Sequence, residues 1–183
     1  MNNHTQFNQA LLTLPDGNKI QEAYRQYKTA EDGCAFELNG RLKSGLPLGN
    51  LLKLHENLRR AICAENHTEL TLYRMTSDFE FIGPLLPALN GSPFQYQAFL
   101  SASGSEEHIH RFQPANGSPL VLQIICPPGT RMALMEARKG GEEDEYLLGC
   151  GTCFMLEKLV SADRLRLRVD RNPPYAATSC FKF

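Results

Sequence analysis

The sequence predicts an α+β fold, with helices first and strands afterward. Two observations carry this. Apolar residues in the first third recur at three- and four-residue steps, and from Glu69 onward the period changes to two. No internal repeat or low-complexity linker breaks the order. With 183 residues the chain suits one domain, divided into a flexible leader over 1–14, a helical part over 15–66 and a β-rich core over 67–183.

The first helix follows Asp16, a capping residue type, with Ile20, Ala23, Tyr24 and Tyr27 at helical spacing. A second is expected over Ala35 to Leu42, stopped by Gly45. A third runs from about Leu48 to Cys63, where Leu51, Leu52, His55, Leu58 and Ile62 line one face and His55 is a helix-face histidine near the core. Strand alternation then appears at Leu70 and Leu72, ending at Arg74, and again at Phe94, Tyr96, Ala98 and Leu100. Leu120 to Cys126 is a nearly continuous apolar run stopped by Pro127-Pro128-Gly129, the pattern of a strand buried on both faces. Short strands are expected at Met132–Met135, Tyr146–Leu148 and Phe154–Val160. The last strand alternates Leu165, Leu167 and Val169 with Arg164, Arg166 and Arg168, a row read as the solvated face of an edge strand.

Composition narrows the function. Apolar residues make up 42% and charged residues 21%, enough for a core. A net charge of −1 carries no footprint for nucleic-acid backbones. No apolar run approaches the ~20 residues a bilayer requires. Met1 to Ala10 is polar and lacks the features of a general secretory signal. The six cysteines are expected as reduced thiols, because Cys126, Cys150, Cys153 and Cys180 lie in apolar, strand-like surroundings. Cys150-Gly151-Thr152-Cys153 reads as a turn inside a hairpin. It lacks the second ligand pair that zinc requires, so no metal is expected.

Three stretches place polar groups where a plain core needs none: Arg74 at a strand end, Ser101-Ala102-Ser103 with two hydroxyls on one face, and Glu143-Asp144-Glu145 directly before an apolar strand. Taken singly, each has a bland explanation: a surface ion pair, a strand running into a turn, an acidic loop. Their order resembles the arginine–serine–glutamate class of mono-ADP-ribosyltransferases. The resemblance extends to Tyr27-Lys28-Thr29, to Leu38 through Gly45, to Leu122 through Thr130 and to Leu147 through Phe154, so it covers most of residues 27–160. Two positions depart from the family pattern: Met75 stands where glycine is common, and Ala102 where threonine is.

The resemblance implies a split two-sheet β-sandwich core behind a helical lobe, and NAD as co-substrate with no metal. Arg74 would offer its fork of donors to the pyrophosphate. Glu145 would stabilise the cation that develops when the nicotinamide–ribose bond breaks, and would hold the ribose 2′-OH. Ser101 would hydrogen-bond and orient Glu145. Glu143, on the same face of an extended segment, would take a proton from the incoming nucleophile. Catalysis is thereby assigned to Glu145, Glu143, Ser101 and Arg74, and NAD contacts to Arg74, Met75, Ser101, Ser103, Phe112 and Glu145. Phe112 lies in a loop, Gly104 to Ser118, expected to cover the nicotinamide, and Ala137 to Asp144 corresponds to the family's substrate-recognition turn.

The function implied is a bacterial effector or toxin that transfers ADP-ribose to a target protein, with arginine as acceptor. The expected form is a monomer, secreted by a specialised bacterial system to act in the target-cell cytoplasm, with room for an immunity protein or chaperone as partner. Two alternatives remain open: the same NAD chemistry on a Thr/Ser hydroxyl or a nucleic acid, and an inactive NAD- or protein-binding module of the same fold.

Overall fold

A computed structural model describes residues 2–29, 32–81, 89–134, 144–173 and 179–183. Four α-helices occupy the first 61 residues: α1 (Asn3–Leu12), α2 (Gly17–Thr29), α3 (Cys34–Ser44) and α4 (Leu52–Ala61), the last preceded by a 3-10 turn over Gly49–Leu51. In α2 the expected stripe of Ile20, Ala23, Tyr24 and Tyr27 is buried. Helix α3 ends as expected at Gly45, whose φ of 64° no Cβ-bearing residue adopts cheaply. Leu46 N–H then reaches back to the Arg41 carbonyl at 2.9 Å. Helix α4 buries Leu54, Leu58 and Ala61, with Leu51 before it and Ile62 after it also buried, whereas Leu52 is half exposed. The expected face is met at Leu51, Leu58 and Ile62, with His55 at the core edge, but Leu52 lies off it, because one residue past Leu51 turns the helix by about 100°.

The leader expected to be flexible over 1–14 contains α1. Its buried stripe is His4, Phe7, Asn8 and Leu11, and Phe7 packs edge-on to Tyr24 with the ring centroids 6.4 Å apart. Asn2 caps the helix by accepting the Thr5 N–H at 2.9 Å.

Ten strands follow among the described residues: β1 (Ala64–Glu65), β2 (Leu70–Ser77), β3 (Phe94–Tyr96), β4 (Leu100–Ser103), β5 (Pro119–Cys126), β6 (Arg131–Leu134), β7 (Glu145–Leu148), β8 (Thr152–Ser161), β9 (Arg164–Arg171) and β10 (Phe181–Lys182). They form one mixed ladder in the order β10-β1-β6-β7-β4-β2-β5-β9-β8-β3. Within this ladder β1–β10 and β5–β9 pair in parallel and the other pairs are antiparallel. The fold is α+β, as expected. Central strand β5 is buried on both faces from Leu120 to Cys126 except at Gln123. The join between β2 and β4 is narrow, with Tyr73 opposite Ser103 as its residue pair. The main core lies between the helices and the sheet, and includes Phe7, Tyr24, Leu38, Leu58, Phe99, Leu122 and Phe154.

Several local expectations change. The alternation from Phe94 to Ser101 is two strands, because Ala98 and Phe99 are both buried and Phe99 N–H donates to Asn39 Oδ1 at 3.1 Å rather than to a strand. Strand β9 is interior, between β5 and β8, so its arginines do not line an edge. Their side chains are engaged across the sheet face, Arg164 with Glu106, Arg166 with Gln123, and Arg168 with Glu69 and Glu157. The Cys150–Cys153 turn is not inside a hairpin: β7 pairs with β4 and β6, β8 with β3 and β9, and Gly151 turns the corner between them at φ 83°. His55 packs beside Phe99 as a core-edge histidine, with Nε2 3.4 Å from Cys150 Sγ.

The expectation of reduced thiols fails at one pair. Cys63 and Cys180 form a disulfide between Cα atoms 5.2 Å apart, brought together where Cys180 N–H donates to the Cys63 carbonyl beside the β1–β10 pairing. Cys34, Cys126, Cys150 and Cys153 lie outside any disulfide.

Candidate active site

Arg74 lies in the middle of β2, not at its end, because β2 continues to Ser77. Its Nη1 donates to the Ser101 carbonyl at 2.9 Å and so ties β2 to β4 across the narrow join. Its Nη2 lies 3.7 Å from Glu80 Oε2. Glu80 in turn accepts from Lys43 Nζ at 2.6 Å and from the hydroxyls of Thr76 and Tyr96. Burial alone pushes the Glu80 carboxyl up, but the Arg74 charge and the three hydrogen bonds outweigh it and hold the group down at about 2. For Arg74, burial opposes the charge while Tyr96 and Glu80 favour it, and the guanidinium ends above its ordinary value. Arg74 Nε is buried with no hydrogen-bond partner among the described residues, while the side chain as a whole is 27% exposed.

Ser101 and Ser103 alternate along β4 as expected. The register, however, sets Ser103 opposite Glu145 and Ser101 opposite Leu147. Ser101 is thus the diagonal neighbour of Glu145, typically ~7–8 Å away. The hydrogen bond expected from Ser101 to Glu145 does not occur among the described residues; Ser101 contributes its carbonyl to Arg74 instead. Ser103 Oγ accepts from Ser105 N–H at 3.1 Å and lies 3.5 Å from His108 Nδ1.

Glu145 opens β7. The chain enters it through Asp144, whose φ of 36° is in the left-handed region. Glu143 itself lies outside the described residues, as does the recognition turn over 137–143. Asp144 is braced from two sides. Its carbonyl accepts Gly104 N–H at 2.8 Å, and a Cβ at Gly104 would stand 2.0 Å from Asp144 Oδ2. On the other side, His4 Nε2 lies 3.5 Å from Asp144 Oδ1 and 3.2 Å from the Glu145 carbonyl, where it donates, since a carbonyl only accepts. Burial pushes the His4 imidazole below its ordinary value, with Asp144 opposing.

These side chains meet. A cavity of about 290 Å³ is lined by Arg74, Met75, Ser101, Ser103 and Glu145, with Phe36 and Phe112 at its mouth. Every expected site residue within the described segments therefore borders one space. Met75 reaches it from a small apolar cluster with Ile109 and Val121. Phe112 is 54% exposed and follows a 3-10 turn, Glu106–Arg111, within the loop expected to cover the nicotinamide.

No family model matches the sequence, and no curated protein does. Solved structures do match. An ADP-ribosyltransferase from Clostridium botulinum superposes with a TM-score of 0.64 at 12% identity, over 91% of this chain and 92% of that one. The ADP-ribosylating toxin of a C. perfringens binary enterotoxin, solved with NADH, gives 0.67 at 13% identity over 91% of this chain and 46% of that one. Exoenzyme S from Pseudomonas aeruginosa, solved with human 14-3-3 protein beta and carba-NAD, gives 0.58 at 12% identity over 92% and 90%. The chain has the ADP-ribosyltransferase fold.

Within this ADP-ribosyltransferase fold, Phe36 lines the cavity with no signal in the sequence, and Tyr27 and Lys28, from a stretch the resemblance covers without giving it a role, stand behind it. Phe36, on α3, is 79% exposed at the rim. Lys28, on α2, places Nζ 3.6 Å from Glu145 Oε2. Tyr27 accepts from Asn39 Nδ2 at 2.8 Å; burial pushes its phenol up to about 12, with Asn39, Arg74 and Ser101 opposing. Among the described residues no group of three or more His, Cys, Asp or Glu could hold a metal, and no helix is long and apolar enough to cross a membrane.

Proposed function

We propose that the chain is a mono-ADP-ribosyltransferase of the arginine–serine–glutamate class, acting on a protein target from NAD. The observation that carries this is the convergence of Arg74, Ser101 and Glu145, from β2, β4 and β7, on one cavity in an ADP-ribosyltransferase fold. In this reading the narrow join between β2 and β4 divides a split two-sheet sandwich, α1 to α4 form its helical lobe, and the described residues belong to a single domain.

The donor set suits NAD. A guanidinium that borders the cavity and is 27% exposed addresses phosphate oxygens. Two exposed aromatics at the mouth offer flat faces to a ring. Met75 presents backbone to the nicotinamide amide, and Ser103 brings a hydroxyl to the same cavity. The reaction breaks the bond between ribose C1′ and the nicotinamide nitrogen, whose electron pair leaves with nicotinamide. A new bond forms from C1′ to the acceptor. Positive charge grows on the ribose as the bond stretches, and the Glu145 carboxylate stabilises it more in the transition state than in the ground state. Glu145 also accepts from the 2′-OH. When the acceptor is an arginine, its guanidinium nitrogen forms the new bond and yields a proton to Glu143; when it is water, NAD is hydrolysed. The arginine acceptor rests on the Glu143-Asp144-Glu145 motif. As for setting, the chain is a secreted effector acting inside a target cell, in line with the toxins it superposes on, and the Cys63–Cys180 bridge suits passage through an oxidising compartment.

The test is incubation of the protein with labelled NAD and cell lysate. A labelled protein band is expected, lost in hydroxylamine if the link is to arginine. Glu145→Gln is expected to lower both transfer and nicotinamide release by ~10³-fold or more. A silent wild type leaves only a binding module, and an undiminished Glu145→Gln variant refutes the assignment of the carboxylate.

A further inference from the structure

Lys28 sits in the last turn of α2 with its side chain only 12% exposed, and its partner Glu145 is 21% exposed. A buried ammonium is costly unless it meets an anion. Among the described residues, the groups facing Glu145 come from four directions. From α2, Tyr24 and Tyr27 bring phenols that burial keeps protonated, so they add no charge. From α1, His4 contacts the Glu145 backbone with an imidazole that burial biases toward the neutral form. Asp144, the preceding residue, carries like charge. From β2, Arg74 borders the same cavity but is tied to Ser101 and Glu80. Among the described residues, Lys28 brings a positive charge into direct range of the carboxylate.

We propose that Lys28 is a positioning residue for Glu145: its ammonium keeps the carboxylate ionised and aimed into the cavity. This rests on the transferase reading above, since it gives Glu145 a charge to be kept. The contact comes from the helical part of the chain, so α2 serves the site as well as the core.

The sign follows from Coulomb's law. Glu145 acts as the anion, so turnover falls as pH drops through its pKa. An opposite charge within ~4–6 Å lowers a carboxylate pKa by roughly 1–3 pH units. Removing it moves the acid limb of kcat toward neutral pH. A purely structural ion pair would alter melting without moving that limb.

The experiment measures nicotinamide release from NAD by the purified chain between about pH 4 and pH 8. Wild type, Lys28→Gln and Lys28→Arg are compared, with melting curves for each. Lys28→Gln should move the acid limb up by about one pH unit or more, with KM for NAD changed less than about threefold. Lys28→Arg should keep the wild-type limb. A folded Lys28→Gln variant with an unmoved limb overturns the proposal. Should Lys28→Gln not fold, Lys28→Arg decides: a limb at the wild-type position supports it, and a limb displaced by about half a pH unit overturns it. A wild type that releases no nicotinamide refutes the transferase reading itself, which separates that failure from this one.

Discussion

Replacing Glu80 by Gln tests the buried network behind Arg74. The Glu80 carboxyl is held at about 2 against an ordinary 4.5, in a side chain only 16% exposed. A fall of about 2.5 pH units, at ~1.36 kcal/mol each, corresponds to roughly 3 kcal/mol of folding stability. The folded-state pKa is depressed, so this contribution is fully present above pH 4.5 and fades as pH falls toward 2. Glu80→Gln removes it and leaves the Arg74 charge buried without its carboxylate. For a chain of this size, where 1 kcal/mol moves Tm by ~2–4 °C, the expected loss at pH 7 is roughly 6–12 °C. The assay is thermal melting of wild type and variant from pH 7 down to pH 3. The gap should be widest at neutral pH and narrow below about pH 4.5. A gap under ~1 kcal/mol at pH 7, or one that stays constant with pH, refutes the assignment of the depressed carboxyl to its Arg74, Lys43, Thr76 and Tyr96 partners.

Two further outcomes follow from the same geometry. The Cys63–Cys180 bridge spans 117 residues, so Cys63→Ser/Cys180→Ser should cost roughly 2–5 kcal/mol and melt like wild type in reductant; equal melting with and without reductant in the wild type contradicts the bridge. Gly104→Ala, whose Cβ would meet the end of an Asp144 side chain that is 44% exposed and can turn aside, should cost less than about 1 kcal/mol and leave nicotinamide release near the wild-type rate; a large loss of release would show that the Asp144 side chain sets the Glu145 carboxylate.

Much of the architecture is legible because burial writes a period into the chain. The α2 stripe, the Gly45 stop and the β5 run all follow from it. Helix α1 escapes notice because its inward stripe is half polar: His4 and Asn8 share it with Phe7 and Leu11, so a search on hydrophobicity finds no face. The disulfide escapes because β1 and β10 are two residues each, too short to carry a period, and their cysteines meet through long-range pairing alone. At the site, the residue types and their order are readable, and the described ones border one cavity. What is not readable is which residue faces which. The Ser103–Glu145 register and the left-handed Asp144 both arise from how β4 and β7 align. Glu80 and Lys28 likewise act through partners tens of residues distant, 37 from Lys43 to Glu80 in one case.

The Arg74 guanidinium spans a seam that the backbone ladder barely closes. An anion arriving there competes for donors that also fasten two halves of the sheet to each other. Occupancy of the pocket and tightness of the scaffold are thus coupled in a single side chain, and substituting that arginine perturbs both together.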